Sequence, residues 1–287
     1  MSNIISNNGR KPAQSGTLAI NYSLRQPFII AIANQKGGVA KTTTALSLGG
    51  ALVQYDQKVL LVDLDPQANL TLALGIDPAK EKKSIANVIL HFEDLLNLCK
   101  ETDVPGLKII PANPDLLAAE SHIYQNIQNE VILRDAFSKV DLSGLFDYVI
   151  LDCPPSAGLI TNSALVASNL LIIPTQPEFF SVNALRSMMT LIREIRSSYN
   201  PNLIYRILIT MLDKRNRIHR SLTDQIRITF GNGLLNTIIE TDTKIRESSL
   251  VGLPITFYNN RTRSALQYSA LAQELNEYVK QKNANFL

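Results

Sequence analysis

Gln35 to Thr43 reads Q-K-G-G-V-A-K-T-T and follows directly on the apolar run Phe28-Ile29-Ile30-Ala31-Ile32-Ala33. The order is a short buried strand, a glycine loop, then a helix from Thr42 to about Gln54. That arrangement cradles phosphate. Gly37 and Gly38 let the backbone approach an anion because no Cβ stands in the way. Successive N–H groups across Gly37, Gly38, Val39, Ala40, Lys41, Thr42 and Thr43, together with the start of the helix, supply positive partial charge. Lys41 is placed to reach the β- and γ-phosphates, and the Thr42 hydroxyl to ligate Mg²⁺. A second lysine, Lys36, lies inside the loop. One nucleotide does not need it; it makes sense if it reaches phosphates bound by a second subunit. The plain alternative, a glycine turn with two incidental lysines, does not account for strand, lysine pair, threonine and helix occurring in order.

Further apolar runs repeat the pattern. Val59–Val62 ends in Asp63-Leu64-Asp65-Pro66-Gln67, and Tyr148–Leu151 ends in Asp152-Cys153-Pro154-Pro155. Leu107–Pro111, Leu170–Pro174, Ile204–Thr210 and Leu234–Ile239 are the other strand candidates, with helical segments between most of them. Short, wholly apolar strands alternating with helices predict an α/β fold: a mostly parallel twisted sheet with helices on both faces. Ligands in such sheets bind at the carboxyl ends of the strands. The loop, Asp63, Asp65 and Asp152 all fall there.

The loop departs from G-x-x-x-x-G-K-[ST], since Gln35 and Ala40 hold the two outer glycine positions. The form K-G-G-x-x-K-[ST] is the deviant Walker A motif, and the chain resembles the ParA/MinD family of ATPases over roughly residues 27 to 280. Its L-V-D-L-D-P-Q-A-N segment is similar to the family's V-D-x-D-P-Q-x-N. The resemblance implies a P-loop NTPase-like fold binding ATP and Mg²⁺. It implies that Asp65 orients or activates the hydrolytic water beside Lys36 and Lys41, that Asp63 helps hold the Mg²⁺ shell, and that Asp152, ending an apolar strand, binds Mg²⁺ through water. It also implies a homodimer when ATP is bound, nonspecific double-stranded DNA as a partner, and a ParB-like or cargo-adaptor protein that stimulates hydrolysis. Such proteins position or segregate a plasmid, a chromosome or a protein body. The added methyl of Ala40 is tolerated if that residue sits at negative φ, where alanine would reduce loop flexibility; nucleotide binding is expected to survive and basal turnover to be slow.

Thr210-Met211-Leu212-Asp213-Lys214-Arg215 resembles the family's adenine-side segment, making Met211, Asp213 and Arg215 nucleotide-binding candidates; a surface ion pair is the other reading of Asp213 and Arg215. From Ile238 to Ile255 the likeness loosens, with Glu240 and Thr241 where the family has Pro and Arg. Arg186 to Arg263 carries 13 Lys/Arg against 6 Asp/Glu. Basic surface favours phosphate-backbone binding without sequence reading. Arg217, Arg220, Lys244, Arg246, Arg261 and Arg263 are the DNA-binding candidates, each equally readable as part of a solvated helix face.

Composition narrows the rest. The 287 residues suit one large domain, 27–287, behind a polar extension at 1–26 read as flexible. Two cysteines, Cys99 and Cys153, form no disulfide framework and point to a reducing compartment; cytoplasmic, nucleoid-associated placement is the expectation. No stretch is apolar enough to span a bilayer. A MinD-like membrane-associated ATPase is the alternative and needs a basic amphipathic terminal helix. Ser264 to Leu287 has helical spacing at Leu266, Leu271, Leu275 and Val279 but nearly balanced charge, so it reads as packed on the sheet. The cysteine positions disfavour a cluster shared between subunits, as in nitrogenase iron proteins.

Overall fold

The computed structural model describes residues 26–125 and 129–284, so the extension assigned to residues 1–26 lies, apart from Gln26, outside the described residues. Eight strands form one sheet: β1 (Phe28–Ile32), β2 (Val59–Asp63), β3 (Lys100–Glu101), β4 (Leu107–Ile110), β5 (Tyr148–Asp152), β6 (Leu170–Thr175), β7 (Ile204–Leu212) and β8 (Leu234–Glu240). Their order is β3-β4-β2-β5-β1-β6-β7-β8. All neighbours are parallel except β3 on β4. Each apolar run of the sequence becomes a strand; the two-residue β3 is too short to show alternation.

The described helices are α1 (Lys41–Val53), α2 (Asn69–Ala73), α3 (Ile85–His91), α4 (Leu116–Gln125), α5 (Ile132–Ser138), α6 (Leu159–Ala167), α7 (Ser181–Ser198), α8 (Arg217–Phe230), α9 (Lys244–Leu250), α10 (Ile255–Tyr258) and α11 (Arg263–Ala284). They divide between the two faces of the sheet, and strand periodicity sorts the side chains. Ala31, Val62, Leu151 and Ile173 join a core under α3 to α7, while Ile32, Leu61, Ile150 and Ile172 join a second core under α1 and α11. Burial on both faces is why these strands read as unbroken apolar runs. The α1 helix packs so close that a Cβ on Gly50 would stand 2.4 Å from the Pro254 side chain.

The α11 helix buries Ala265, Tyr268, Leu271, Ala272 and Leu275, and its Tyr268 hydroxyl meets the Thr44 hydroxyl of α1 at 3.2 Å. Leu266, expected on the buried stripe, is 60% exposed. Asp242 accepts from both the amide and the hydroxyl of Ser264, at 3.2 and 2.9 Å. That anchors the start of the helix, where Ala265 faces inward and Leu266 outward.

Candidate nucleotide site

Parallel neighbours bring three strand ends level at the middle of the sheet. Ile32 is in register with Asp152, and Asp152 with Asp63. The ends are sewn together beyond the strands, Cys153 N donating to Ile32 O at 3.1 Å and Leu64 N to Asp152 O at 2.9 Å. The β1–α1 loop rises directly from this point. Gly37 and Gly38 are exposed, Gly38 has φ +71, and a Cβ at either would meet nothing within 4 Å. The loop thus leaves a bare backbone rim with room for a ligand. Its far end is held by the buried Thr210 hydroxyl of β7, which donates to Val39 O at 3.0 Å.

Lys41 is only 7% exposed, and its ammonium donates to Lys36 O at 3.3 Å. Burial pulls its pKa down, against the opposing pull of Asp152, Cys153 and Asp65. Asp152 is wholly buried, and neither carboxylate oxygen has a hydrogen-bond partner. Burial, and then the Asp63 charge, drive its carboxyl well above the usual range. The nearby Thr42 hydroxyl pulls the other way without meeting hydrogen-bond geometry. Buried polar groups in native structures are almost always satisfied. An orphaned carboxylate below a phosphate-type loop therefore marks a place for a positively charged or proton-donating ligand.

The described residues contain no cluster of three or more His, Cys, Asp or Glu able to enclose a metal ion. That fits Mg²⁺, which keeps several waters and takes its other oxygens from one or two protein groups and from phosphates. Thr42 and Asp152 are the groups suited to it. Asp63, expected to help hold the Mg²⁺ shell, is also tied into the protein. Its carboxylate accepts from Thr71 N at 2.9 Å, Thr71 Oγ1 at 2.7 Å and Asp65 N at 3.1 Å. It thereby ties the turn after β2 to α2 and places Asp65, while burial pushes its own carboxyl up to about 6. Asp65 itself is 7% exposed and accepts from Gln67 N at 2.9 Å, in an Asx-type turn.

Ala40 does not meet the condition of negative φ. It caps α1 at φ +67, ψ +36, in the left-handed region, so its methyl is strained rather than tolerated. The α1 amide ladder explains the need: Thr44 N donates to Ala40 O at 2.9 Å, and the chain must turn sharply there to enter the helix.

On the other flank, Met211 (φ +53) follows Thr210, and a cavity of about 530 Å³ opens among Leu212 to Arg215, Glu240 to Thr243 and Arg263. Asp213 and Arg215 line it, paired with each other at 3.1 Å on an exposed loop. Glu240, at the position that departs from the family pattern, is 8% exposed and accepts from Lys214 and Gln267, each at 2.8 Å, and from Arg263 at 3.3 Å. Those partners hold its carboxyl below the usual range. Nothing in the sequence pointed to Glu240's partners, to Thr71, or to Asn34 and Glu178 beside Lys36, because no sequence pattern places each beside the group it bonds.

Among the DNA candidates, Lys244 is paired with Glu247 at 2.7 Å and Arg263 with Glu240. Arg220 donates to Lys214 O, while Arg217, Arg246 and Arg261 are exposed with no ion-pair partner among the described residues.

A glycine loop between β1 and α1, a buried loop lysine and an acid ending the adjacent parallel strand define a P-loop nucleotide-binding protein. A family model described as an AAA domain matches residues 28–205. The chain is 35% identical over 248 residues to the chromosome partitioning protein ParA of Caulobacter vibrioides, covering 86% of this chain and 93% of that one. It is 37% identical over 248 residues to the sporulation initiation inhibitor protein Soj of Bacillus subtilis, covering 86% and 97%. Among solved structures, cobyrinic acid a,c-diamide synthase from Mycobacterium smegmatis, with bound ATP analog and magnesium, superposes with a TM-score of 0.79 at 33% identity, covering 88% of this chain and 96% of that one. An ATP complex of a Cyanothece McdA variant shares the fold, with a TM-score of 0.78 at 20% identity, covering 88% and 97%. The chain belongs to the ParA/MinD family of deviant Walker A ATPases, on its ParA side.

Proposed function

We propose that this protein is a ParA-like ATPase that binds Mg²⁺·ATP at the β1–α1 loop, pairs with a second copy when ATP is bound, and uses hydrolysis to position a cargo on DNA. The observation that carries the reading is Asp152, buried and unpartnered below Lys41 and Thr42. Thr42 and Asp152 would hold Mg²⁺, which would supply neutralisation of the phosphate charge. Lys41 binds phosphate from a desolvated position, where its charge acts through low dielectric. The loop amides hold the remaining oxygens, and Asp65, fixed by the Asp63–Thr71 anchor, orients the attacking water. Hydrolysis of this kind depends on alignment and charge more than on covalent chemistry.

The Lys36 ammonium pairs with Glu178 in this protomer, and its use across a dimer is part of the proposed function. The exposed cations Arg217, Arg246 and Arg261 are suited to phosphate-backbone contact, and a partner protein of ParB or adaptor type would stimulate turnover. No described helix is long and apolar enough to cross a membrane. The apolar side of α11 is buried against α1 and β8, which favours DNA over a membrane surface.

The test is nucleotide binding followed by equilibrium titration. Lys41→Ala is expected to lose ATP affinity by at least 100-fold, and unchanged affinity would refute the site. Asp65→Ala should bind ATP normally and turn over about 10²-fold or more slowly; undiminished turnover removes Asp65 from the reaction.

A further inference from the structure

The β1–α1 loop and the loop between β6 and α7 are joined beside Lys36. Asn34, 2% exposed, donates from Nδ2 to Pro174 O at 2.8 Å and accepts from the Lys36 amide at 3.0 Å. The start of the loop is thereby fixed against the end of β6. The Lys36 side chain then crosses the same gap, and its ammonium pairs with the Glu178 carboxylate. Among the described residues Glu178 is the ion-pair partner of no other cation, and Lys36 of no other acid. Phe179 and Phe180 follow at once, 77% and 68% exposed, their rings edge to face at 5.4 Å.

A lysine committed to a carboxylate of its own chain is not free to reach a phosphate on another. We propose that Glu178 is a competing counter-ion that holds Lys36 within the protomer and must release it before two copies can pair. The inference rests on the reading above that Lys36 acts across subunits. On association, Lys36 exchanges a single carboxylate for the more highly charged phosphates of the facing nucleotide. Covering the adjoining phenyl rings removes apolar surface from water and helps offset the release. The penalty applies equally whichever nucleotide is bound. It therefore weakens every encounter by the same factor, and leaves only the strongest, with the full triphosphate in place, above the working concentration.

The side chains of Lys36 and Glu178 are 23% and 43% exposed, so solvent screens the pair. A pair of that kind shifts an equilibrium by a factor of about 1.4 to 5. Two break in a symmetric dimer, giving about 2- to 30-fold in the dimer dissociation constant.

The experiment is sedimentation velocity over a concentration series of full-length protein with a non-hydrolysable ATP analogue, for wild type, Glu178→Gln, Lys36→Ala and the double variant. Glu178→Gln should dimerise about 2- to 30-fold more tightly, less so at high salt, and should have no effect in the Lys36→Ala background. Dimerisation of Glu178→Gln equal to or weaker than wild type, with Lys36→Ala impaired, overturns the latch alone. Equal dimerisation of Lys36→Ala and wild type overturns the cross-subunit reading itself.

Discussion

Replacing Ala40 with glycine tests the loop backbone directly. Two opposed effects operate. A non-glycine residue in the left-handed region costs about 1–2 kcal/mol, and Ala40 sits at φ +67 with an α-helix beginning at the next residue. Glycine removes that strain but gives the unfolded chain more freedom, a loss of about 0.4–1 kcal/mol. The balance favours glycine by about 1 kcal/mol, which for a domain of this size raises Tm by about 2 °C. Had Ala40 stood at negative φ, only the entropic effect would remain and glycine would lower Tm. The sign of the change is therefore the discriminating quantity. Thermal unfolding of the nucleotide-free protein, repeated by urea titration at about 25 °C, measures it. A lower Tm for Ala40→Gly refutes the strained cap. Ala40→Val, with a β-branched side chain in the same backbone, should fall on the other side of wild type.

Two further outcomes follow from the site and surface. The Asp63 carboxyl, raised to about 6 from an ordinary value near 3.9, keeps its proton to higher pH when folded than when unfolded. The native state binds more protons between pH ~4 and ~6, so its stability falls as pH rises through that window, by about 3 kcal/mol for this group. Asp152 is pushed in the same direction. The nucleotide-free protein should lose the Asp63 contribution between about pH 4 and 6, and Asp152→Asn should lessen the overall loss; an identical pH slope for the two proteins contradicts the buried pair. For DNA, Arg217→Glu with Arg246→Glu should flatten the slope of log K against log salt by about 2, the amount expected for two lost phosphate contacts. Lys244→Glu alone should change it less, because Glu247 already occupies that ammonium, and equal slopes for wild type and the double variant would clear both arginines.

What the sequence made legible were features written in contiguous residues. Seven apolar runs became seven strands, and the acids closing two of them predicted which side of the sheet carries the site. The loop gave Lys41 and Thr42 their places. What escaped were roles fixed by partners across the fold. Asp63 reads as a helper of the Mg²⁺ shell beside Asp65, and only the fold adds that Thr71, eight residues on, donates twice to its Oδ2. Six basic residues look alike in a string, but Glu240, 23 residues away, sets Arg263 apart from Arg217, Arg246 and Arg261, whereas the Lys244–Glu247 pair is local, three residues apart on one helix. The φ of Ala40 was illegible for a different reason. Alanine is compatible with ordinary helix entry, and only the path from a phosphate-type loop into α1 forces it to positive φ.

Strain in this fold gathers around the site. Five described non-glycine residues have positive φ, and three of them, Ala40, Ala68 and Met211, lie in the segments that form the site: the loop, the turn after Asp65 and the end of β7. Each such residue costs on the order of 1–3 kcal/mol. To these the site adds an orphaned carboxylate at Asp152 and a desolvated ammonium at Lys41. None of these features strengthens the folded chain; the two apolar cores stabilise it against them. Strain and unpaired charge in one place are complementary to a ligand bearing phosphate and a cation, which would supply the missing partners without first displacing protein contacts. Substitutions should accordingly divide by sign: those that relax the site stabilise the empty fold, Ala40→Gly through backbone strain and Asp152→Asn through charge, and only the second of them removes a group the bound state needs.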